Sequence, residues 1–451
     1  MSVNVEVPSG NYKGYNLNTR MQQPPDDELI KIGPGTPCGE YLRRYWHPIA
    51  MTEQITEFPL RLRRFGEDLV LFRDKSGQYG CLHLHCSHRN TSLEFGIIEE
   101  QGIRCCYHGW LYNVDGTILD TPGEPETSKI KDRVAHGAYP TIEYRGLVFS
   151  YFGPPEEMPT FPFLDHMDLG PEDEMVPFLI PNPCNWLQTF ENSFDPHHTV
   201  HLHTRVSGAQ FTDEFAVHPE FEIFERPYGY FYTNARRIDD KVWMRFHDHL
   251  PPNFSQNGSM FPDAKKNAYF LKAGLTRWVV PVDDENNITI AWRHFIDGYD
   301  PFGFGDKSKC GYNSVDFYGQ TDELDYEERQ RKPGDYEAWV GQGAVNVHKA
   351  ENLGETDKGV AMSRRHHREQ IRALQNGERM PQPTDLGLPV PLYGGDSVLT
   401  IPKSNNDDRK TVREVCHRVA AIYMEGDKYV GEDREEFIIK SLKKLEESWP
   451  N

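Results

Sequence analysis

Two kinds of hydrophobic patterning divide this chain. From Tyr45 to Pro155 apolar and polar residues come in short runs separated by turn residues, the mark of short strands. Glu67–Arg73 reads as a strand, Asp74-Lys75-Ser76-Gly77 turns the chain, and Tyr79–His85 returns. Leu147–Phe152 is another strand, ended by Gly153-Pro154-Pro155. A linker rich in Pro and Glu follows near 154–172. Asn185–Leu202 then carries apolar residues at helical spacing, with Asp195-Pro196 interrupting it. Alternation resumes at Glu220–Arg226, Tyr230–Ile238, Val242–Asp248, Thr276–Val282 and Ile288–Phe295. Pro227-Tyr228-Gly229 and Asp283-Asp284-Glu285-Asn286-Asn287 supply hairpin-type breaks. Residues 299–334 are polar and rich in Gly and Asp, which predicts a long excursion over the surface or across a site. Helical spacing returns at Tyr336–Val347, at Arg364–Gln375 and, after a Pro-rich stretch at 380–391, at about 430–448.

These elements predict an α+β chain without internal repeats. A lead-in over 1–44 carries the turn Gly33-Pro34-Gly35-Thr36-Pro37 and a short helical stretch at Glu40–Arg44. A small antiparallel β domain follows over 45–155. A larger domain over 156–380 has an antiparallel sheet flanked by helices, and 381–451 forms a C-terminal extension packing on it. At 451 residues the chain is long enough for two or three such units.

Charge narrows the partners. The 49 basic residues face 69 acidic ones, a net of −20 without a clustered basic run, which argues against nucleic acid. Eight cysteines lack the spacing of a disulfide framework and fit a reducing compartment. The start MSVNVEVPSGNYKG has no leader pattern, and no apolar run approaches membrane-spanning length. The expectation is a cytoplasmic protein without a membrane partner.

The cysteines also carry the first chemistry. Cys86-Ser87-His88-Arg89 is followed, after sixteen intervening residues, by Cys105-Cys106-Tyr107-His108-Gly109-Trp110. Two Cys-His pairs at this spacing suit a Rieske [2Fe–2S] centre, with two thiolates on one iron and two imidazoles on the other. Neutral imidazoles in place of thiolates make the cluster less negative and raise its potential, to about −150 to +300 mV. Cys86, His88, Cys105 and His108 are the expected ligands. Cys81-Leu82-His83 repeats the C-x-H half but leaves twenty-one intervening residues before Cys105, and no Arg follows it. Choosing Cys106 would shorten the second half to C-x-H. Two zinc loops or buried thiols are the plainer reading, but the order of the halves and their H-R and Y-H-G-W flanks count against it.

The second chemistry lies in Asn185–His203. Two histidines and a distant carboxylate make the facial triad of mononuclear non-haem iron. Four histidines compete for it: His197, His198, His201 and His203, of which His197 and His201 form an i, i+4 pair. Spacing alone leaves the choice open.

Asp195, His198, Leu202 and His203, preceded by Asn185, Trp186 and Gln188, read as N-W-x-Q followed by D-x-x-H-x-x-x-L-H. In this the chain resembles the Rieske non-haem iron aromatic-ring hydroxylating oxygenases, specifically the large (alpha) subunits of the phthalate-dioxygenase-like group. The resemblance extends from Gly33 to about Arg365; the Cys106 position departs from it, since a proline is usual there. It implies a helix-grip-like catalytic domain, iron ligation by His198 and His203, and structural roles for His197 and His201. It places the third ligand at Asp335 in Pro333-Gly334-Asp335-Tyr336-Glu337-Ala338, with Glu337 as the rival. The same resemblance implies that the Asp195 carboxylate joins His108 of one subunit to His198 of the next, hence a homotrimer or a multiple of it. An N-cap role for Asp195 before Pro196 is compatible with that.

The expected activity is that of a terminal oxygenase. No dinucleotide fingerprint or plant-type ferredoxin array is visible, so electrons are expected from a separate reductase, directly or through a ferredoxin. The cluster would pass them to Fe(II), which activates O₂ against an aromatic, carboxylated substrate. Ring dioxygenation, monooxygenation and O-demethylation of a methoxylated aromatic acid are all open to such iron. Arg236, Arg237, Arg245, Arg277 and Arg293 lie on strand-like segments and suit a carboxylate. An electron-transfer protein without oxygenase activity, or a ligand-binding scaffold, would leave the iron triad or the cluster without a purpose.

Overall fold

A computed structural model describes residues 10–450 apart from 18, 20–21, 168–169, 171–172, 297–299 and 316–323. The first nine residues of the expected lead-in, parts of the 154–172 linker, and 299 and 316–323 of the expected excursion lie outside the described residues.

The N-terminal part is built from Trp46–Met51 (β1), Leu60–Arg64 (β2), Glu67–Arg73 (β3), Tyr79–His83 (β4), Ile97–Ile98 (β5), Ile103–Arg104 (β6), Leu111–Tyr112 (β7), Ile118–Asp120 (β8), Ala138–Tyr139 (β9), Thr141–Tyr144 (β10) and Leu147–Tyr151 (β11). They form three antiparallel sheets in the orders β1-β11-β10, β2-β3-β4-β9 and β5-β6-β7-β8. Strand β3 shows why its apolar run is unbroken. Leu69 and Leu71 point into one core while Val70 and Phe72 point into another beneath the metal loops, so both faces are covered. Ahead of β1, Thr36 caps a helix over Pro37–Leu42 by accepting the Gly39 N–H at 3.2 Å, with Pro37 at the first helical position. That helix starts three residues before the expected Glu40.

The larger part is one nine-stranded antiparallel sheet of Glu174–Asn182 (β12), Glu220–Glu225 (β13), Tyr230–Ile238 (β14), Lys241–Leu250 (β15), Phe254–Asn257 (β16), Ala268–Lys272 (β17), Leu275–Pro281 (β18), Asn287–Phe295 (β19) and Gly395–Thr400 (β20). The path runs β12-β19-β18-β16-β15-β14-β13, and β20 pairs with both β15 and β17. Strand β12 carries Pro177 and Pro181, which hid it from pattern reading; it lies at an end of that path, where missing N–H donors are tolerated. Strands β16, β17 and β20 are short and were not anticipated either.

Alternation along the sheet sorts its two faces. Phe231, Ala235, Val242, Met244 and Phe246 face a core covered by helices Asp408–Gly426 and Gly431–Glu447, of which the first was not expected. The opposite face presents Tyr232, Asn234, Arg245, His247, Asn257 and Arg277 to a cavity beneath the segment Trp186–Val206. The two parts of the molecule are joined by hydrogen bonds from Phe65 and Gly66 N–H to Pro281 and Val282 carbonyls, and from Trp292 Nε1 to the Arg145 carbonyl at 2.9 Å.

Candidate metal centres

Two loops of the N-terminal part hold the cysteine–histidine motifs, one after β4 and one between β6 and β7. Each closes on itself in the same way: Asn90 N–H bonds to the Cys86 carbonyl at 2.9 Å, and Gly109 N–H to the Cys105 carbonyl at 3.1 Å. Gly109 has φ +74° and a Cβ there would meet Pro122, so the Y-H-G-W glycine follows from the turn itself. Cys86 and Cys105 are buried, and the rings of His88 and His108 lie 4.6 Å apart by centroid. His88 stacks on Trp110 at 4.7 Å, and its buried Nδ1 has no hydrogen-bond partner. Two buried thiols and the adjoining rings of His88 and His108, the first with an orphaned nitrogen, make up the donor set a Rieske [2Fe–2S] centre needs. The Tyr112 hydroxyl lies 2.9 Å from Cys86 Sγ, a contact that sequence reading missed. Cys106 is exposed, while Cys81 sits inside β4, where burial pushes its thiol up to about 12.

The second centre forms where helix Trp186–Asn192 ends. Asn185 caps that helix by accepting the Leu187 N–H at 3.1 Å, and Ser193 to His197 break it. Asp195 Oδ1 then accepts the His197 and His198 N–H groups at 2.8 and 3.2 Å. The chain resumes as a short helix His198–Val200 and a π-turn over His201–Val206, which swings His203 to the same side as His198. Asp335 arrives from the first turn of helix Asp335–Val340. Its Oδ1 is 3.3 Å from His198 Nε2 and 3.2 Å from His203 Nε2, and the two Nε2 atoms are 3.1 Å apart. Glu337, the rival carboxylate, turns back to accept the Gly334 N–H at 2.8 Å. The helix expected to reach Val347 stops at Val340, before Gly341 and Gly343.

The surroundings of this trio orient it. His198 Nδ1–H donates to the Asp195 main-chain oxygen, and His203 Nδ1–H to Gln210 Oε1. Both rings therefore present an Nε2 lone pair inward, the arrangement a metal requires. Asn192 Nδ2 donates to Asp335 Oδ1 at 3.2 Å. Neither Asn192 nor Gln210 carries a spacing signal that sequence reading could have used. His197 and His201 point elsewhere, toward His218 at 6.4 and 6.1 Å between ring centroids. The Asp195 carboxylate stays 38% exposed, with Oδ2 3.8 Å from His198 Nδ1.

The trio opens on a small cavity of about 60 Å³, walled also by Phe211, Phe215, Asn257 and Arg277. Of the expected arginines, Arg245 and Arg277 line this cavity. Arg236 donates to Asn234 Oδ1 and Thr199 Oγ1 nearby, Arg237 pairs with Asp408 at 2.7 Å, and Arg293 donates to the Gly274 carbonyl at 3.0 Å. A second convergence of donors, Glu191, His348 and Glu351, is filled by the Arg364 guanidinium, which bonds both carboxylates at 2.5–3.0 Å. No helix among the described residues is long and apolar enough to cross a membrane.

Known proteins resemble this chain over most of its length. The family model for the Rieske [2Fe-2S] domain matches residues 45–136. The chain is 39% identical to the oxygenase subunit of tert-butanol monooxygenase / tert-amyl alcohol desaturase of Aquincola tertiaricarbonis, over 97% of each chain. It is 38% identical to the phenoxybenzoate dioxygenase subunit alpha of Ectopseudomonas oleovorans, over 78% of this chain and 86% of that one. Among solved structures, dicamba monooxygenase bound to dicamba superposes with a TM-score of 0.56 at 16% identity, covering 75% of this chain and 99% of that one. That last likeness concerns the fold alone.

Proposed function

Since the chain belongs to the Rieske non-haem iron oxygenases, as an oxygenase large subunit, we propose that Cys86, His88, Cys105 and His108 hold its [2Fe–2S] cluster and that His198, His203 and Asp335 hold its mononuclear iron. The protein is a terminal oxygenase, supplied with electrons by a separate reductase. When bound, the two centres supply electron relay and activation of O₂. The observation that carries the iron assignment is the approach of three ligand atoms to within 3.3 Å of one another, with both imidazole Nδ1 atoms already engaged.

The chain's own residues divide the remaining work. Asp195 and Gln210 fix the two rings, Asn192 holds the Asp335 carboxylate, and Phe211 and Phe215 keep one side of the cavity apolar. The exposed Asp195 carboxylate is free to accept a ring N–H from His108 of a second copy. That reading makes the protein a ring-shaped homotrimer, or a hexamer built from two, in which Asp195 joins the two centres while capping its own turn. The domain division is 1–44, 45–155, 156–380 and 381–451, and the compartment is the cytoplasm.

The substrate is an aromatic acid, a reading supported by the phenoxybenzoate and phthalate dioxygenase relatives. A second reading, O-demethylation of a methoxylated aromatic acid, is favoured by 32% identity over 83% of this chain to a 5,5'-dehydrodivanillate O-demethylase oxygenase subunit of a Sphingobium strain. The test is oxygen uptake by the iron-loaded protein with a compatible reductase and NADH, over matched aromatic acids with and without methoxy groups. Uptake with stoichiometric formaldehyde assigns O-demethylation; a dihydrodiol or catechol without formaldehyde assigns ring dioxygenation. Uptake that survives His198→Ala or Asp335→Ala would overturn the iron assignment.

A further inference from the structure

The cavity at His198, His203 and Asp335 has a polar wall that the iron assignment does not use. Neighbouring strands β14, β15, β16 and β18 supply it, since alternate residues of each point to the same face. Buried polar atoms ordinarily find partners, and several here have none. His247 stacks on Tyr232 at 4.6 Å between ring centroids, and neither of its ring nitrogens is hydrogen-bonded. Asn257 Oδ1 is likewise buried and unpaired.

The cations of this wall differ from one another. Arg236 is satisfied by the Val217 carbonyl, Asn234 and Thr199. Arg245 is satisfied by the Ser259 and Gly258 carbonyls, with Asp396 at 3.8 Å. Arg277 is only 7% exposed, and its Nε donates to Ser255 Oγ at 3.0 Å. Asp335, the acid that Arg277 feels, is engaged by two histidines and Asn192. Among the described residues no carboxylate pairs with Arg277. A buried cation without a counter-ion is costly, and a guanidinium held by Nε keeps its terminal nitrogens for a planar two-oxygen acceptor.

We propose that Arg277 is the specificity residue of this site and receives a carboxylate of the substrate, so that the chain acts on an organic acid rather than a neutral alcohol. Burial and the neighbouring arginines keep His247 neutral, which lets one ring N–H donate to the same anion. Asn257 Oδ1 is then placed for a hydroxyl or other donor on the ligand. The inference rests on the oxygenase reading and names its substrate class; the alcohol named for the Aquincola relative is the contrasting case.

The test is calorimetric binding to the anaerobic holoenzyme, without reductase, of 3-methoxybenzoate, 3-methoxybenzyl alcohol and tert-butanol. The wild type should prefer the acid to the matched alcohol by about tenfold or more. Arg277→Gln should lose about tenfold or more on the acid and leave alcohol binding essentially unchanged; Arg277→Lys should keep part of the preference. Iron content and the visible spectrum of the cluster report folding of each variant. Should Arg277→Gln lose its iron, the acid preference of Arg277→Lys decides instead. Equal binding of acid and alcohol by the wild type, tight binding of tert-butanol alone, binding of none of the three, or an undiminished acid preference in Arg277→Gln would each overturn the proposal. A wild type that holds no iron but prefers the acid would refute the iron assignment and leave Arg277 standing.

Discussion

Replacing Arg364 by Met tests how the proposed iron site is braced from behind. Arg364 lies in helix Lys358–Gln375 and bonds Glu191 at 2.5 and 2.6 Å and Glu351 at 2.5 and 3.0 Å, with side-chain exposures of 8, 10 and 20% for the three. Glu191 precedes Asn192, the residue that donates to Asp335. Burial pushes the Glu191 carboxyl up, and Arg364 is the main group pulling it down. Methionine keeps most of the stem and removes four charge-assisted hydrogen bonds, leaving a buried carboxylate without its cation. Breaking such a buried pair costs about 3–5 kcal/mol. Arg365 on the same helix is an internal control: it is 65% exposed and sits 3.8–3.9 Å from Glu369 and Glu225. Arg365→Met should cost no more than an exposed pair, up to about 1 kcal/mol. Urea unfolding followed by tryptophan fluorescence reads the difference, because Trp186 lies on the Glu191 helix and Trp339 on the Asp335 helix. Arg364→Met should also lose mononuclear iron on dialysis while the visible absorption of the [2Fe–2S] cluster persists. Equal costs for the two substitutions, with iron retained in both, would refute the reasoning.

The remaining predictions address the two centres and the pH range. Asn192→Ala and Gln210→Ala should each weaken iron retention against a chelator about 10–100-fold, without disturbing the cluster spectrum; retention equal to wild type would remove these residues from the site. Tyr112→Phe deletes a donor to Cys86 Sγ that favours the more negative, reduced cluster. With about 1 kcal/mol of differential bonding, the midpoint potential should fall by about 40 mV, read by redox titration of the resting protein, and a rise or no change counts against the contact. His47, His166 and His367 are buried, and burial pushes them down to about 4, 3 and 3, which keeps them neutral. Their folded values lie below the unfolded value of about 6.5, so the stability they contribute is full above that pH and is lost as pH falls toward 4–3. Between pH 7.5 and 5.5 each should cost about 1.3 kcal/mol, seen as a lower urea midpoint; His367→Gln, which cannot take up a proton, should flatten that slope.

What sequence alone could determine was set by local chemistry. Spacing and flanking residues marked the two cysteine–histidine loops, because each loop closes within five residues and needs little from the rest of the chain. Strand β14 was legible to the residue, since its alternation matches a sheet whose two faces meet different cores. Strand β12 was not, because its two prolines are tolerated only by its place at the end of the strand path. The choice among four histidines needed resemblance, for spacing cannot foresee a π-turn that carries His203 around to His198. Asp335 and its distance from those rings, the donors Asn192 and Gln210, and the Arg364 brace are separated along the chain and adjoin only after folding. The unpaired Arg277 belongs with them. A sequence shows that an arginine is present, but only the packed sheet decides that its Nε is held by Ser255 while a cavity is left beside the rest of the guanidinium.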